Sequence, residues 1–218
     1  MLKAILFDMD GVIVDSEPLH KKAYYKMFKE VNIEVPETLF ESFTGQSTLK
    51  ICQTLCKHFR LTRTPKELVS LKRKHFKYIF ENDTNFHLID GVFNLIKDYT
   101  KNGIKLVLAS SASMTTINRV FNKFKLEKYF LAKLSGADLK ASKPHPEIFI
   151  KAANITGYKK TECLVIEDST NGIKAASSAG IFCVGFDSPN SKNQDYSKAD
   201  LVIKNFNQIY FKKIKTLF

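Results

Sequence analysis

Ala4-Ile5-Leu6-Phe7-Asp8-Met9-Asp10-Gly11-Val12-Ile13-Val14-Asp15-Ser16 is the stretch on which the reading of this chain turns. Ala4–Phe7 is a continuous apolar run, which predicts a strand buried on both faces. Two aspartates two positions apart follow at once. Side chains at i and i+2 of an extended segment point to the same side, so Asp8 and Asp10 are expected to present their carboxylates together at the strand end. Each raises the pKa of the other unless a cation lies between them, and Mg2+ is the natural candidate. Gly11 then lets the backbone turn sharply away. Capping a turn is the plain alternative, but turn acids rarely come as Asp-x-Asp-Gly directly off so apolar a strand.

Downstream of Ser16 the period changes from strand to helix. Leu19, Ala23, Met27 and Val31 recur at four-residue spacing after Ser16-Glu17-Pro18, a helix start with proline in its first turn. Residues 49–59 carry an apolar face, and Thr64-Pro65 opens a long helix through Leu68, Leu71, His75, Ile79 and Phe80. No strand is expected from about residue 16 to about residue 85. Beyond it helices and strands alternate. A helix over Val92–Lys101 stops at Asn102-Gly103. A strand over 104–109 ends in Ser110-Ser111, followed by a helix over Met114–Phe124 and a short strand within 130–135. Pro146 starts another helix. A strand over 162–166 ends in Glu167-Asp168-Ser169, and the next helix runs to Ala179 with Gly180 as its stop. Strands over 181–186 and Leu201–Ile203 and a final helix over 206–217 complete the chain. This alternation predicts an α/β fold: a Rossmann-like parallel sheet core with an inserted all-α cap domain. Residues 1–15 and 86–218 would form the core and residues 16–85 the cap.

Two hundred and eighteen residues suit such an arrangement of one domain carrying a smaller insertion. The net charge of +12, from 34 Lys and Arg against 22 Asp and Glu, draws anions. The cations are scattered, however, and Lys72-Arg73-Lys74 is the longest basic run, too short for a nucleic-acid arm. No specific nucleic-acid partner is expected. Cys52, Cys56, Cys163 and Cys183 lack metal-type pairing; all four read as reduced thiols, and Cys52, Cys56 and His58 as packing residues, not a metal site. No apolar stretch reaches about 18 residues and the amino terminus does not read as a leader, so no membrane association and a cytoplasmic location are expected. A monomer is expected.

In an open parallel sheet, ligands gather outside the carboxyl ends of the strands. Three such ends carry polar residues here: Asp8 and Asp10, Ser110 and Ser111, and Glu167 and Asp168. Side by side they would bring four carboxylates to one point with a hydroxyl beside them, a hard oxygen site for Mg2+. A bound phosphate would need a positive group, and Lys143, in the proline-stiffened Ala141-Ser142-Lys143-Pro144-His145-Pro146, is placed to supply it.

These residues resemble the motifs of the haloacid dehalogenase superfamily, and within it the β-phosphoglucomutase and sugar-phosphate phosphatase branch with a helical cap. Asp8-Met9-Asp10-Gly11 matches the first motif, Ser110 the second, Lys143 the third and Glu167-Asp168-Ser169 the fourth. The resemblance implies that Asp8 is a nucleophile forming an aspartyl phosphate. It makes Asp10 the acid that protonates the leaving oxygen and then the base for the acceptor. Mg2+ would lie among the Asp8 carboxylate, the Asp10 main-chain carbonyl and Asp168, with Glu167 helping directly or through water. Ser110 and Lys143, with Ser111 beside them, would hold the phosphoryl oxygens. Phosphate-monoester hydrolysis demands barrier lowering on the order of 20 kcal/mol or more. Asp10 favours phosphoryl transfer over carbon–halogen cleavage, because a halide leaves without a proton and a sugar alkoxide does not.

Two acceptors remain open. A phosphatase passes the phosphoryl group to water, and a mutase returns it to a sugar while excluding water. His20 stands where mutase-like members have a histidine, and Lys74 could match a cap lysine near a second phosphate site; a first-turn helix residue is the plain reading of His20. In β-phosphoglucomutases the loop matching Thr44-Gly45-Gln46-Ser47-Thr48-Leu49 carries an arginine that grips the distant phosphate, a bidentate role lysine does not replace well. Here Thr48 stands at about that position, with Lys50 the nearest cation. The expectation is a Mg2+-dependent phosphatase of a small phosphorylated sugar, its cap closing over the substrate. A β-phosphoglucomutase-type mutase is the close alternative, and a non-catalytic phosphate-binding or regulatory module the third.

Overall fold

In the computed structural model of the chain, residues 1–43, 46–188 and 193–218 are described. The apolar run at the amino terminus forms strand β1 (Ala4–Phe7), every residue of it buried. Helices α1 (Glu17–Glu30), α2 (Glu37–Glu41), α3 (Thr48–His58) and α4 (Pro65–Asn82) follow, with no strand between them among the described residues. The chain then alternates through α5 (Val92–Lys101), β2 (Lys105–Ser110), α6 (Met114–Phe124), β3 (Ala132–Ser135), α7 (Glu147–Thr156), β4 (Cys163–Glu167), α8 (Thr170–Ala179), β5 (Phe182–Phe186), β6 (Leu201–Ile203) and the short α9 (Phe211–Ile214). Two compact units result, Met1–Asp15 with His87–Phe218, and Ser16–Phe86.

The first unit is a six-stranded parallel sheet in the order β3-β2-β1-β4-β5-β6. A parallel sheet needs cover on both faces, and period-two alternation along β1 supplies it. Ala4 and Leu6 join Val107, Val165 and Cys183 in a core with Phe149 and Ala152 of α7 and Ile173 and Ala176 of α8. On β1's other side Phe7 meets Phe130 edge to face, and Phe130 meets Phe121 of α6.

The expected final helix over 206–217 is broken. A 3-10 turn at Phe206–Ile209 gives way at Tyr210, extended at φ −53° and ψ 149°, before α9 begins. Tertiary bonds to α5 replace the missing helical ones. The Tyr99 hydroxyl donates to the Ile209 carbonyl at 2.6 Å, and the Phe211 N–H donates to Asp98 Oδ2 at 2.7 Å. Buried groups must be paired, and these are paired across elements instead of along one.

The helical unit packs Tyr24, Met27 and Phe28 of α1 with Phe43, Ile51, Cys52 and Leu55 of the α3 region and Leu68 of α4. Thr64 and Glu67 make a capping box at the start of α4: the Glu67 N–H donates to Thr64 Oγ1 at 3.3 Å and the Thr64 N–H to Glu67 Oε2 at 2.6 Å. Helix α2 has no buried residue, so its five residues carry no apolar period to announce it. All four cysteines are free thiols. Among the described residues no helix is long and apolar enough to cross a membrane.

Candidate active site

The sheet reverses its strand order between β1 and β4, the place at which open parallel sheets bind ligands outside their strand ends. Register brings the right residues to it. Phe7 pairs with Leu108 on one side and Ile166 on the other, and the Asp8 N–H donates to the Ile166 carbonyl at 3.0 Å. Asp8 therefore leaves the sheet level with Glu167. Carboxylate oxygens of Asp8, Glu167 and Asp168 lie within 4.8 Å of one another, all three side chains buried, and His58 and the cysteines form no such group among the described residues.

Asp10 stands apart from this group. Strand β1 ends at Phe7, and the Met9 carbonyl already accepts the N–H groups of Val12, Ile13 and Val14, so the alternation that would align Asp10 with Asp8 has stopped. Three carboxylates meet, not the four expected. The turn itself depends on Gly11, whose φ is +83° and where a Cβ would stand 1.9 Å from Asp168 Oδ2. Glycine is needed there for the backbone angle and also to admit the aspartate.

Lys143 is the cation of the cluster. Its Nζ donates to Asp8 Oδ1 at 2.5 Å, to Glu167 Oε1 at 2.6 Å and to the Ala109 carbonyl at 2.9 Å, and it stands 4.8 Å from the centre of the Phe149 ring. Burial alone would lower its pKa, but Asp8 and Glu167 outweigh burial and hold it above the ordinary lysine range. Burial is also the largest influence on Asp8, pushing it up to about 8 from 3.8; Lys143 opposes that rise, and Glu167 and Asp10 add to it. Glu167 is fully engaged. While Oε1 takes Lys143, Oε2 accepts the N–H groups of Asp168 and Ser169 and the Ser169 hydroxyl at 3.0, 2.9 and 3.0 Å.

The donor set fits a hard divalent cation, since three buried carboxylates balanced by one lysine leave negative charge uncompensated. Ser110, buried at the end of β2, accepts the Ala112 N–H at 3.0 Å through its hydroxyl oxygen. Ser111 is exposed.

The remaining expected residues belong to the helical unit. His20 stacks on Phe76 at 4.4 Å, and its Nδ1 lies 2.6 Å from Lys72 Nζ. Lys72 is only 4% exposed, its ammonium over the rings of Tyr24 and Phe76. Lys72 is the lysine that meets His20, and Lys74 is exposed beside Arg63, Lys66 and Ser70. Lys72 sits four residues from both Leu68 and Phe76, on the buried stripe of α4, and that spacing was the signal for it. Of the loop compared with the mutases, Thr44 and Gly45 lie outside the described residues. Thr48 is the first residue of α3, and Lys50 is exposed.

Comparison with known proteins agrees with this geometry. The family model described as haloacid dehalogenase-like hydrolase matches residues 5–186. The chain is similar to β-phosphoglucomutase of Bacillus subtilis, 28% identical over 93% of this chain and 89% of that one. It is also similar to a phosphorylated carbohydrates phosphatase of Thermotoga maritima, 28% identical over 83% of this chain and 82% of that one. Among solved structures, β-phosphoglucomutase of Clostridium difficile superposes with a TM-score of 0.83 at 29% identity, covering 99% of this chain and 96% of that one. With its parallel sheet, its helical insertion and its acidic strand ends, the chain belongs to the haloacid dehalogenase-like hydrolases.

Proposed function

We propose that this phosphoryl-transfer enzyme is a Mg2+-dependent phosphatase that hydrolyses a small phosphorylated sugar through an aspartyl phosphate on Asp8. The observation that carries the reading is Asp8 at the head of β1, its carboxylate 2.5 Å from the Lys143 ammonium and grouped with that of Asp168.

Asp8 must be ionised to attack phosphorus, and its burial opposes that. Lys143 opposes the effect of burial and, once a substrate is bound, its ammonium also faces the phosphoryl oxygens. Asp8 and Asp168, with the main-chain carbonyl of Asp10 and with Glu167 acting through a water, would hold Mg2+, which when bound supplies the positive charge that keeps Asp8 ionised and offsets the charge of the phosphoryl group. Ser110 spends its oxygen on the Ala112 N–H, and its hydroxyl hydrogen is available to a phosphoryl oxygen. Asp10, outside the carboxylate group, protonates the leaving sugar oxygen and then takes a proton from the water that attacks the aspartyl phosphate.

A mutase is the second reading, favoured by one observation: the buried Lys72 ammonium against His20, a cation and an imidazole held ready in the helical unit. The absence of an arginine at Thr48, with exposed Lys50 as the nearest cation, favours the phosphatase. A phosphate-release screen over sugar phosphates with Mg2+, run beside a coupled assay for conversion of β-glucose 1-phosphate to glucose 6-phosphate, decides between them. Release without interconversion is expected, and interconversion without release would replace the phosphatase by the mutase.

A further inference from the structure

Gly172 is the third residue of α8, buried, with ordinary helical backbone angles. No left-handed conformation requires glycine there, and alanine would favour the helix more. What leaves no room for a side chain is Glu167. A Cβ on Gly172 would stand 1.7 Å from Glu167 Oε1 and 1.8 Å from Glu167 Cδ. The carboxylate fills the space the missing methyl leaves. Ser169 closes the arrangement, its Oγ accepting the Gly172 N–H at 3.1 Å and donating to Glu167 Oε2 at 3.0 Å.

We infer that Gly172 is a positioning residue of the active site: by carrying no side chain it makes the seat from which Glu167 holds Lys143 against Asp8. Its role in turnover rests on the phosphatase reading, whereas the seat itself does not. Glu167 sits at one corner of a triangle whose others are the Lys143 ammonium and the Asp8 carboxylate. A methyl at residue 172 pushes the carboxylate from that corner. Lys143 then keeps only Asp8 and the Ala109 carbonyl as partners, so its charge falls on the nucleophile and its ammonium is no longer aimed by two anions.

Four proteins test this: the parent, Gly172→Ala, Glu167→Ala and the double variant. In urea unfolding without metal, Gly172→Ala in the parent background is expected to lower the folding constant by about tenfold or more. In the Glu167→Ala background the same change is expected to leave the constant unchanged or raise it, because no carboxylate remains to be displaced. An equal loss in both backgrounds overturns the inference. If Gly172→Ala alone does not fold, the comparison of Glu167→Ala with the double variant still reads the sign, and a tenfold loss there overturns it. Turnover of p-nitrophenyl phosphate with Mg2+ supplies the second readout. Each single change is expected to lower kcat about thirtyfold or more, with the double variant no slower than the slower single. Multiplying losses overturn the positioning role. A reversal of sign in urea with a parent that releases no phosphate from any sugar phosphate or from p-nitrophenyl phosphate upholds the seat and refutes the phosphatase reading instead.

Discussion

Lys143 Nζ lies 2.5 Å from Asp8 Oδ1, an ion pair between side chains that are 5% and 9% exposed. A buried charge whose partner is removed has neither water nor counter-ion, and the loss is large, about 3 kcal/mol or more. Above about pH 8, where Asp8 is ionised, Lys143→Met is therefore expected to lower the unfolding free energy of the metal-free protein by about that amount, and to reduce phosphate release by orders of magnitude even where the protein remains folded. Urea titration followed by circular dichroism measures the first. An unchanged midpoint would contradict the pairing.

The raised Asp8 pKa fixes the direction of a pH effect. Its folded value of about 8 exceeds the ordinary 3.8, so the native state binds the proton more tightly than the unfolded one. The stability Asp8 contributes is complete below about 4 and is lost as pH rises through about 8. Metal-free protein is expected to lose stability across that window more steeply than an Asp8→Asn variant, as read by thermal unfolding at successive pH values. Parallel curves would refute the shift.

Asp8→Asn is expected to abolish phosphate release, since an amide is no nucleophile toward phosphorus. Asp10→Asn has a graded effect. Loss of a general acid costs about 10²–10⁴ in rate when the leaving group needs its proton. It matters far less for p-nitrophenolate, which leaves without one. The ratio of sugar phosphate to p-nitrophenyl phosphate turnover should thus fall in Asp10→Asn. An unchanged ratio would remove Asp10 from proton transfer to the leaving group.

Gly11 and Gly157 both have positive φ, +83° and +75°, but differ in surroundings. Nothing lies within 4 Å of a Cβ at Gly157, so Gly157→Ala meets only backbone strain, about 1–2 kcal/mol. At Gly11 the Cβ would meet Asp168 as well. Gly11→Ala is expected to be the more damaging to stability and, unlike Gly157→Ala, to raise the Mg2+ concentration needed for activity. Equal Mg2+ requirements in the two variants would contradict the contact with Asp168.

Features carried by local patterns were legible in the chain itself. Ala4–Phe7 is too short and too apolar for anything but an inner strand, and Thr64 with Glu67 marks the start of α4 through its own hydrogen bonds. Asp8, Ser110, Lys143, Glu167 and Asp168 were legible as strand-end or loop residues, and the order of the motifs carried the resemblance. What depended on distant partners was not. The break at Tyr210 comes from bonds to Tyr99 and Asp98, more than a hundred residues away. The separation of Asp10 from the carboxylate group follows from a turn that begins one residue earlier than alternation assumes. Gly172 reads locally as a poor helix former, and only the folded position of Glu167 gives it a purpose.

The central place of β1 has a consequence for how the molecule comes into being. Ala4 pairs with Lys105 on one side and with Cys163 on the other, so β1 is flanked only by strands made much later. Emerging from the ribosome, it is an apolar segment without neighbours, and its high contact order slows the search for them. The helical insertion, by contrast, has a core made from residues close in sequence. Such a segment can acquire structure while β1 still waits for β4 to pair with it.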